Sequence, residues 1–240
     1  VSPLIIPIAV EWVILVTTAA PLLLVGLFDK TPRLGLTVWF AAFLSSGLAT
    51  ALAIGIAIAS IFETFLKLAA NPVGSASWLA TLAVSFAPWL ILAISGIALA
   101  LVSQRLEPIL ANAREVSPLL DAALRPWMTF QGYQVMRIEL PIMVAAVARG
   151  KILISTAAAR TLRESELHAV LWHEIGHLRG GHNQLKQLAG FVRSLSPWLV
   201  ASKALVNEVT RLSEIDADRF ARRHVDSELL SATRSKFISA

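Results

Sequence analysis

Apolar positions run almost unbroken through the first hundred residues, then give way to alternating and amphipathic patterns. Three apolar runs are long enough to cross a bilayer, which takes roughly 20 helical residues. They cover about Leu4 to Phe28, Leu34 to Phe62 and Trp78 to Val102. A soluble core built on three such helices would need more polar chain to cover it than this sequence offers. Pro21 and Pro88 fall inside two of the runs and predict kinks. In the second run Gly47, Ala51 and Gly55 recur every four residues, a smooth stripe that another helix can approach closely. Glu11 lies near one end of the first run beside Trp12, as an intramembrane or interfacial carboxylate.

After Ser103 the periodicity changes. The stretch to about Leu124 reads as an amphipathic helix broken near Pro108 and Pro118. Val135 to Leu140 alternate, which predicts a half-buried strand. "IMVAAV" and "KILIS" are short β-rich runs joined by Arg149-Gly150, a hairpin signal. A helix is predicted from near Glu164 through Leu178. Leu167, Val170, Leu171, Ile175 and Leu178 form its apolar face, and Gly180-Gly181 stops it. Residues 188–206 contain Arg193 and Lys203, which suit an interfacial amphipathic helix better than a span.

Composition sharpens this division. The chain has 240 residues, 56% hydrophobic and 15% charged, against about a quarter charged in an ordinary soluble domain. Before residue 104 the only charged residues are Glu11, Asp29, Lys30, Arg33, Glu63 and Lys67. Lys30 and Arg33 in the first loop, and Arg105, Arg114 and Arg125 after the third run, predict an outside N-terminus and a cytoplasmic polar half. The net charge of +5 then belongs to a surface meeting anionic headgroups, not nucleic acid. There is no cysteine, so no disulfide framework. The chain begins at Val1 without a charged leader and cleavage site, so the first run is read as a span.

The chemistry concentrates in "VLWHEIGHLRGGHN", residues 170–183. His173 and His177 are four apart on the predicted helix, so both imidazoles project from one side. Two neutral ring nitrogens there can hold one Zn²⁺. Glu174 is rotated part of a turn away, where it can reach a water on the metal and act as general base at a carbonyl carbon. A catalytic site also needs a third protein ligand and an open fourth position. In a longer form of the motif the third ligand position falls on Asn183, with His182 one residue too early. In "RLSEIDADRFARR" Glu214 and Asp218 are again four apart. Glu214 is favoured over His182 because it completes a His₂Glu set, and Asp218 is placed to fix the tautomer of a ligand histidine. His182 is read as a neighbour behind the ligands. Tyr133, Arg222, Arg223 and His224 are the candidates to stabilise an oxyanion.

These two motifs resemble the bacterial integral-membrane zinc peptidases of the glutamate-zincin class, over about Gly150 to His224. Two branches fit: the BlaR/MecR-type sensor-transducer peptidases and the HtpX/Ste24-type membrane peptidases. The resemblance implies zinc on His173, His177 and Glu214, Glu174 as general base and Asp218 behind a ligand. It also implies a strand before the motif helix that pairs with the substrate backbone, here Val144, Ala145 and Ala146. That strand departs from the Asn-Ala-Phe-like signature of the HtpX branch, which favours the sensor branch. "SLSPWLV", residues 194–200, resembles the Pro-containing segment between that branch's motifs. A last transmembrane helix common in that branch does not follow, so a C-terminally truncated domain is expected.

The expected fold is therefore mainly α, with a transmembrane region over 1–103 and an α+β zincin-like metalloprotease domain with a small β-sheet over 104–240. The expected activity is zinc-dependent hydrolysis of protein or peptide substrates at the cytoplasmic membrane face. The alternative is a non-catalytic membrane signalling protein in which His182 closes a structural four-ligand zinc site.

Overall fold

The computed structural model describes residues 5–70 and 123–239. The third apolar run, Pro88 and nearly all of the 103–124 stretch lie outside the described residues. So does the boundary at 103.

Two antiparallel helices come first. Helix α1 covers Ile5–Leu24 and α2 covers Pro32–Ala70. Proline suits the first turn of α2, where its missing N–H has no partner to lose. Trp12 Nε1 donates to Ser45 Oγ across the pair at 3.0 Å, and α1 is helical on both sides of Pro21. Among the described residues one segment, Pro32–Ile56, is long and apolar enough to cross a membrane, and 11% of its most apolar window is buried. Leu44, Leu48, Leu52 and Ile54 are exposed there. No described residue approaches Gly47 or Gly55.

The sheet holds strands β1 (Arg125–Phe130), β2 (Tyr133–Ile138), β3 (Ala145–Ala148) and β4 (Lys151–Ser155) in the order β1-β2-β4-β3. The outer pairs are antiparallel and the central pair, β2 with β4, is parallel. Both hairpins turn on two left-handed residues, Gln131-Gly132 (φ 50° and 81°) and Arg149-Gly150 (φ 51° and 75°). That twist matches the right-handed twist of the strands. Strand β1 escapes the alternation rule because the register shifts between Pro126 and Met128.

Five helices follow: α3 (Thr156–Thr161), α4 (Glu164–Gly180), α5 (His182–Leu195), α6 (Val200–Ala221) and α7 (Ser227–Ser239). The fold is mostly helical with a small mixed sheet. Glu166 accepts from the Arg163 backbone N–H and from its guanidinium at the start of α4, and Gly181 ends the helix in the left-handed conformation at φ 62°. The expected single interfacial helix over 188–206 is instead two helices meeting at Ser196–Leu199. Arg193 bridges the break. Its guanidinium donates to the Pro197 and Leu199 carbonyls and to Ser202 Oγ, tying the end of α5 to the start of α6.

There are two main cores. In one, the sheet face of Val135, Ile152 and Ile154 packs on Val170, Leu171 and Ile175 of α4. The other joins Ala20, Leu36 and Trp39 of the N-terminal pair to Ala189 of α5 and Leu205, Val209 and Leu212 of α6. Charges from the first loop and the start of α2 meet α6 beside this second core: Arg211 bonds Asp29 at 2.6 Å and Arg33 bonds Asp216 at 3.1 Å.

Candidate metal centre

Helices α4 and α6 cross so closely that a Cβ at Gly176 would lie 2.8 Å from the Ala217 Cα. This crossing brings the two motifs together. His173 Nε2 and His177 Nε2 are 3.1 Å apart, and each lies 3.5 Å from one oxygen of Glu214. Among the described residues these three form the group that could hold a metal ion, with ligand atoms within 4.8 Å of one another. A tetrahedral zinc site with arms of roughly 2.0–2.1 Å has edges of about 3.3–3.4 Å, so the donor set fits a divalent metal.

The supporting contacts are as ordered as the ligands. His173 Nδ1 lies 2.9 Å from Asp218 Oδ1, and neither atom has another partner among the described residues. His177 Nδ1 lies 2.9 Å from His182 Nδ1. His182 is fully buried, and a Cβ at Gly180 would collide with its ring, so the glycine makes room for it. The His182 ring therefore sits behind His177 and outside the ligand triad. The long-motif position, Asn183, donates instead to the Val147 carbonyl at 2.6 Å.

Charge is strongly organised. Burial alone would depress His173, but the carboxylates of Asp218 and Glu214 outweigh it and lift its pKa to about 9. Hydrogen bonds to His173 and His177 hold Glu214 far below the usual carboxylate range. Burial pushes Glu174 up against the opposing pull of both histidines. Burial and the neighbouring His177 push His182 down to about 4, against Asp216, so that ring is neutral at neutral pH.

A pocket of about 380 Å³ opens onto the group. Glu174, Ala145, Ala146 and Val147 line it, and so do Lys186 of α5 and Thr233, Arg234 and Phe237 of α7. Val144 is set back, its backbone tied to Ser155. That tie sets the parity of β3: even-numbered residues bond inward to β4, and Ala145 and Val147 point their backbone groups to the free edge. Asn183 already occupies the Val147 carbonyl.

The expected oxyanion candidates do not line this pocket. Tyr133 OH accepts from Arg179, His224 stacks on Trp172 at 3.6 Å, and Arg222 and Arg223 are exposed. The cations at the site are Lys186, 3.0 Å from Glu214 Oε1, and Arg234, which bonds Asp218 and lies 3.6 Å from Glu214 Oε2. Sequence reasoning missed both, because α7 carries no motif and Lys186 is an ordinary polar position of an amphipathic helix.

The sequence model of peptidase family M48 matches residues 114–235, just over half of the chain and both motifs. The chain belongs to peptidase family M48. As an M48 peptidase it is a metal-dependent hydrolase whose substrates are proteins or peptides. No curated protein matches it in sequence.

Proposed function

We propose that this M48 peptidase is a membrane-embedded zinc endopeptidase that cuts protein substrates at the cytoplasmic membrane face. The observation that carries the reading is the convergence of His173, His177 and Glu214 in a pocket that also holds the buried Glu174. In this reading the two imidazoles and the Glu214 carboxylate hold the metal. Zinc, when bound, supplies Lewis acidity that polarises a scissile carbonyl and acidifies a water. Glu174, whose pKa burial raises, takes the proton of the attacking water and returns it to the leaving amine. Asp218 keeps His173 in the tautomer that presents Nε2. The outward-facing backbone of Ala145 on the β3 edge receives the substrate chain as an added strand, with Ala146 beneath it.

The membrane part rests on the apolar runs, three spans in this reading, with the polar half a peptidase domain from residue 104. The contacts of Asp29 and Arg33 with α6 favour the first loop and the peptidase half lying on one side of the bilayer, the side the positive charges assign to the cytoplasm. The β3 sequence favours the BlaR/MecR-type branch over the HtpX/Ste24-type one. The structural-zinc alternative needs His182 as a fourth ligand, and His182 is turned onto the back of His177.

The test is Glu174→Gln in the full chain in membranes. Zinc should stay bound, and fragments that appear with the wild type should disappear from a proteomic comparison. Cleavage retained in that variant removes the mechanism.

A further inference from the structure

A chain of polar contacts leaves the metal group from its buried side. His177 Nδ1 meets His182 Nδ1 at 2.9 Å. His182 Nε2 lies 3.3 Å from Asp216 Oδ2, at ion-pair distance though not aligned as a full hydrogen bond. Both Asp216 oxygens then accept from Arg33 Nε, at 3.2 and 3.1 Å. Asp216 is 7% exposed, and its partner lies 183 residues away in sequence at the head of the apolar helix α2.

The donor directions along this chain admit one arrangement. A neutral imidazole has one N–H and one lone pair. His177 must turn its Nε2 lone pair to the metal group, so Nδ1 carries its hydrogen and donates. His182 Nδ1 must therefore accept, which leaves its hydrogen on Nε2, facing a carboxylate. Asp216 faces that N–H at ion-pair distance and accepts from Arg33. Every group is used once in the sense its chemistry allows, and reversing either ring would set two lone pairs or two hydrogens against each other.

We propose that Arg33, at the head of α2, is a positioning residue for the metal ligand His177, acting through Asp216 and His182, so that metal affinity depends on the docking of the N-terminal helix pair. The proposal rests on the reading of His177 as a metal ligand. Arg33 holds the Asp216 carboxylate in place, the carboxylate fixes the tautomer of His182, and His182 holds the His177 ring with Nε2 toward the ligand triad.

The test is metal affinity of the full chain in detergent, read by competition of Zn²⁺ against a chelator and by the ligand-field spectrum of bound Co²⁺. Partners of ligand histidines are worth about 10–100-fold in metal affinity. Arg33→Gln, three contacts from the ligand, should weaken Zn²⁺ severalfold, less than loss of a direct partner, and alter the Co²⁺ spectrum. Asp216→Asn should weaken it at least as much, and the double variant no more than Asp216→Asn alone. Arg33→Lys should recover part of the loss. Asp29→Asn removes the neighbouring ion pair with Arg211 at the same interface and should leave affinity unchanged. Unchanged affinity in Arg33→Gln, additive losses in the double variant, or an equal loss in Asp29→Asn overturns the proposal. The histidine ¹⁵N spectrum of the wild type is a check that needs no variant: it must report His182 protonated at Nε2, and protonation at Nδ1 overturns the relay. These readouts need no substrate. A chain that binds metal through this relay but cuts nothing would refute the endopeptidase reading alone, and one that cuts with an Arg33-independent affinity would refute the relay alone.

Discussion

Gly176 lies against the backbone of Ala217 with no room for a side chain: a Cβ there would stand 2.8 Å from the Ala217 Cα and 3.0 Å from its carbonyl oxygen. The glycine inside the histidine motif thus sets how near the two motif helices come. Neither backbone can yield locally, since both residues sit inside helices, a full turn from the ends. Gly176→Ala should destabilise the fold by about 1–3 kcal/mol, the usual cost of overpacking. It should also weaken metal binding by moving Glu214 away from the histidines. Denaturant unfolding and a chelator competition measure the two effects, and a variant with wild-type values in both would show the crossing to be soft.

Asp218 does not line the pocket, yet its Oδ1 lies 2.9 Å from His173 Nδ1. Asp218→Asn keeps the shape and removes the charge that favours Nδ1–H. Metal affinity should fall about 10–100-fold. Once saturating metal is supplied, most proteolytic activity should return. Activity lost at full metal occupancy would give Asp218 a role in the chemistry instead.

Ala145 has its N–H on the free edge of the sheet, outside the ladder with β4. Proline is tolerated where that N–H is not used for pairing. Ala145→Pro should therefore fold and bind metal normally, but lose one hydrogen bond to an added substrate strand. One such bond is worth about 1 kcal/mol, so KM should rise about fivefold with kcat little changed. An unaltered KM would mean that substrate does not extend the sheet at β3.

Glu166 ties the start of α4 to α7. The Arg163 side chain, Lys236 and the Arg163 backbone N–H all bond its carboxylate and, against burial, hold its pKa at about 2 instead of 4.5. A carboxylate depressed in the folded state stabilises fully above its unfolded value, and that stability is lost as pH falls toward the folded value. Thermal stability should drop between about pH 4.5 and 2, more steeply in the wild type than in Glu166→Gln. Parallel curves for the two proteins would assign acid sensitivity elsewhere.

Much of this site could be read from local pattern. Four-residue spacing on a helix puts His173 and His177 on one face whatever the rest of the chain does, because 3.6 residues make a turn. Arg149-Gly150 and Gly181 mark a turn and a helix end, because left-handed backbone suits glycine. Other elements gave weak signals. Strand β1 is irregular at Pro126, and α7 has few apolar residues in a regular period, so neither stands out from a loop.

What local pattern left open was decided by packing. His182 and Glu214 both had the chemistry of a third ligand. The αL turn at Gly181, and the space left by Gly180, send the His182 ring behind His177, while the α4–α6 crossing delivers Glu214 to the front. Lys186, Arg234 and Arg33 reach the site or its supports from three separate helices, with Arg33 183 residues from its partner. Sequence periodicity carries information over a turn or two of helix. Which distant faces meet depends on how their apolar surfaces fit together, and only the folded chain resolves that.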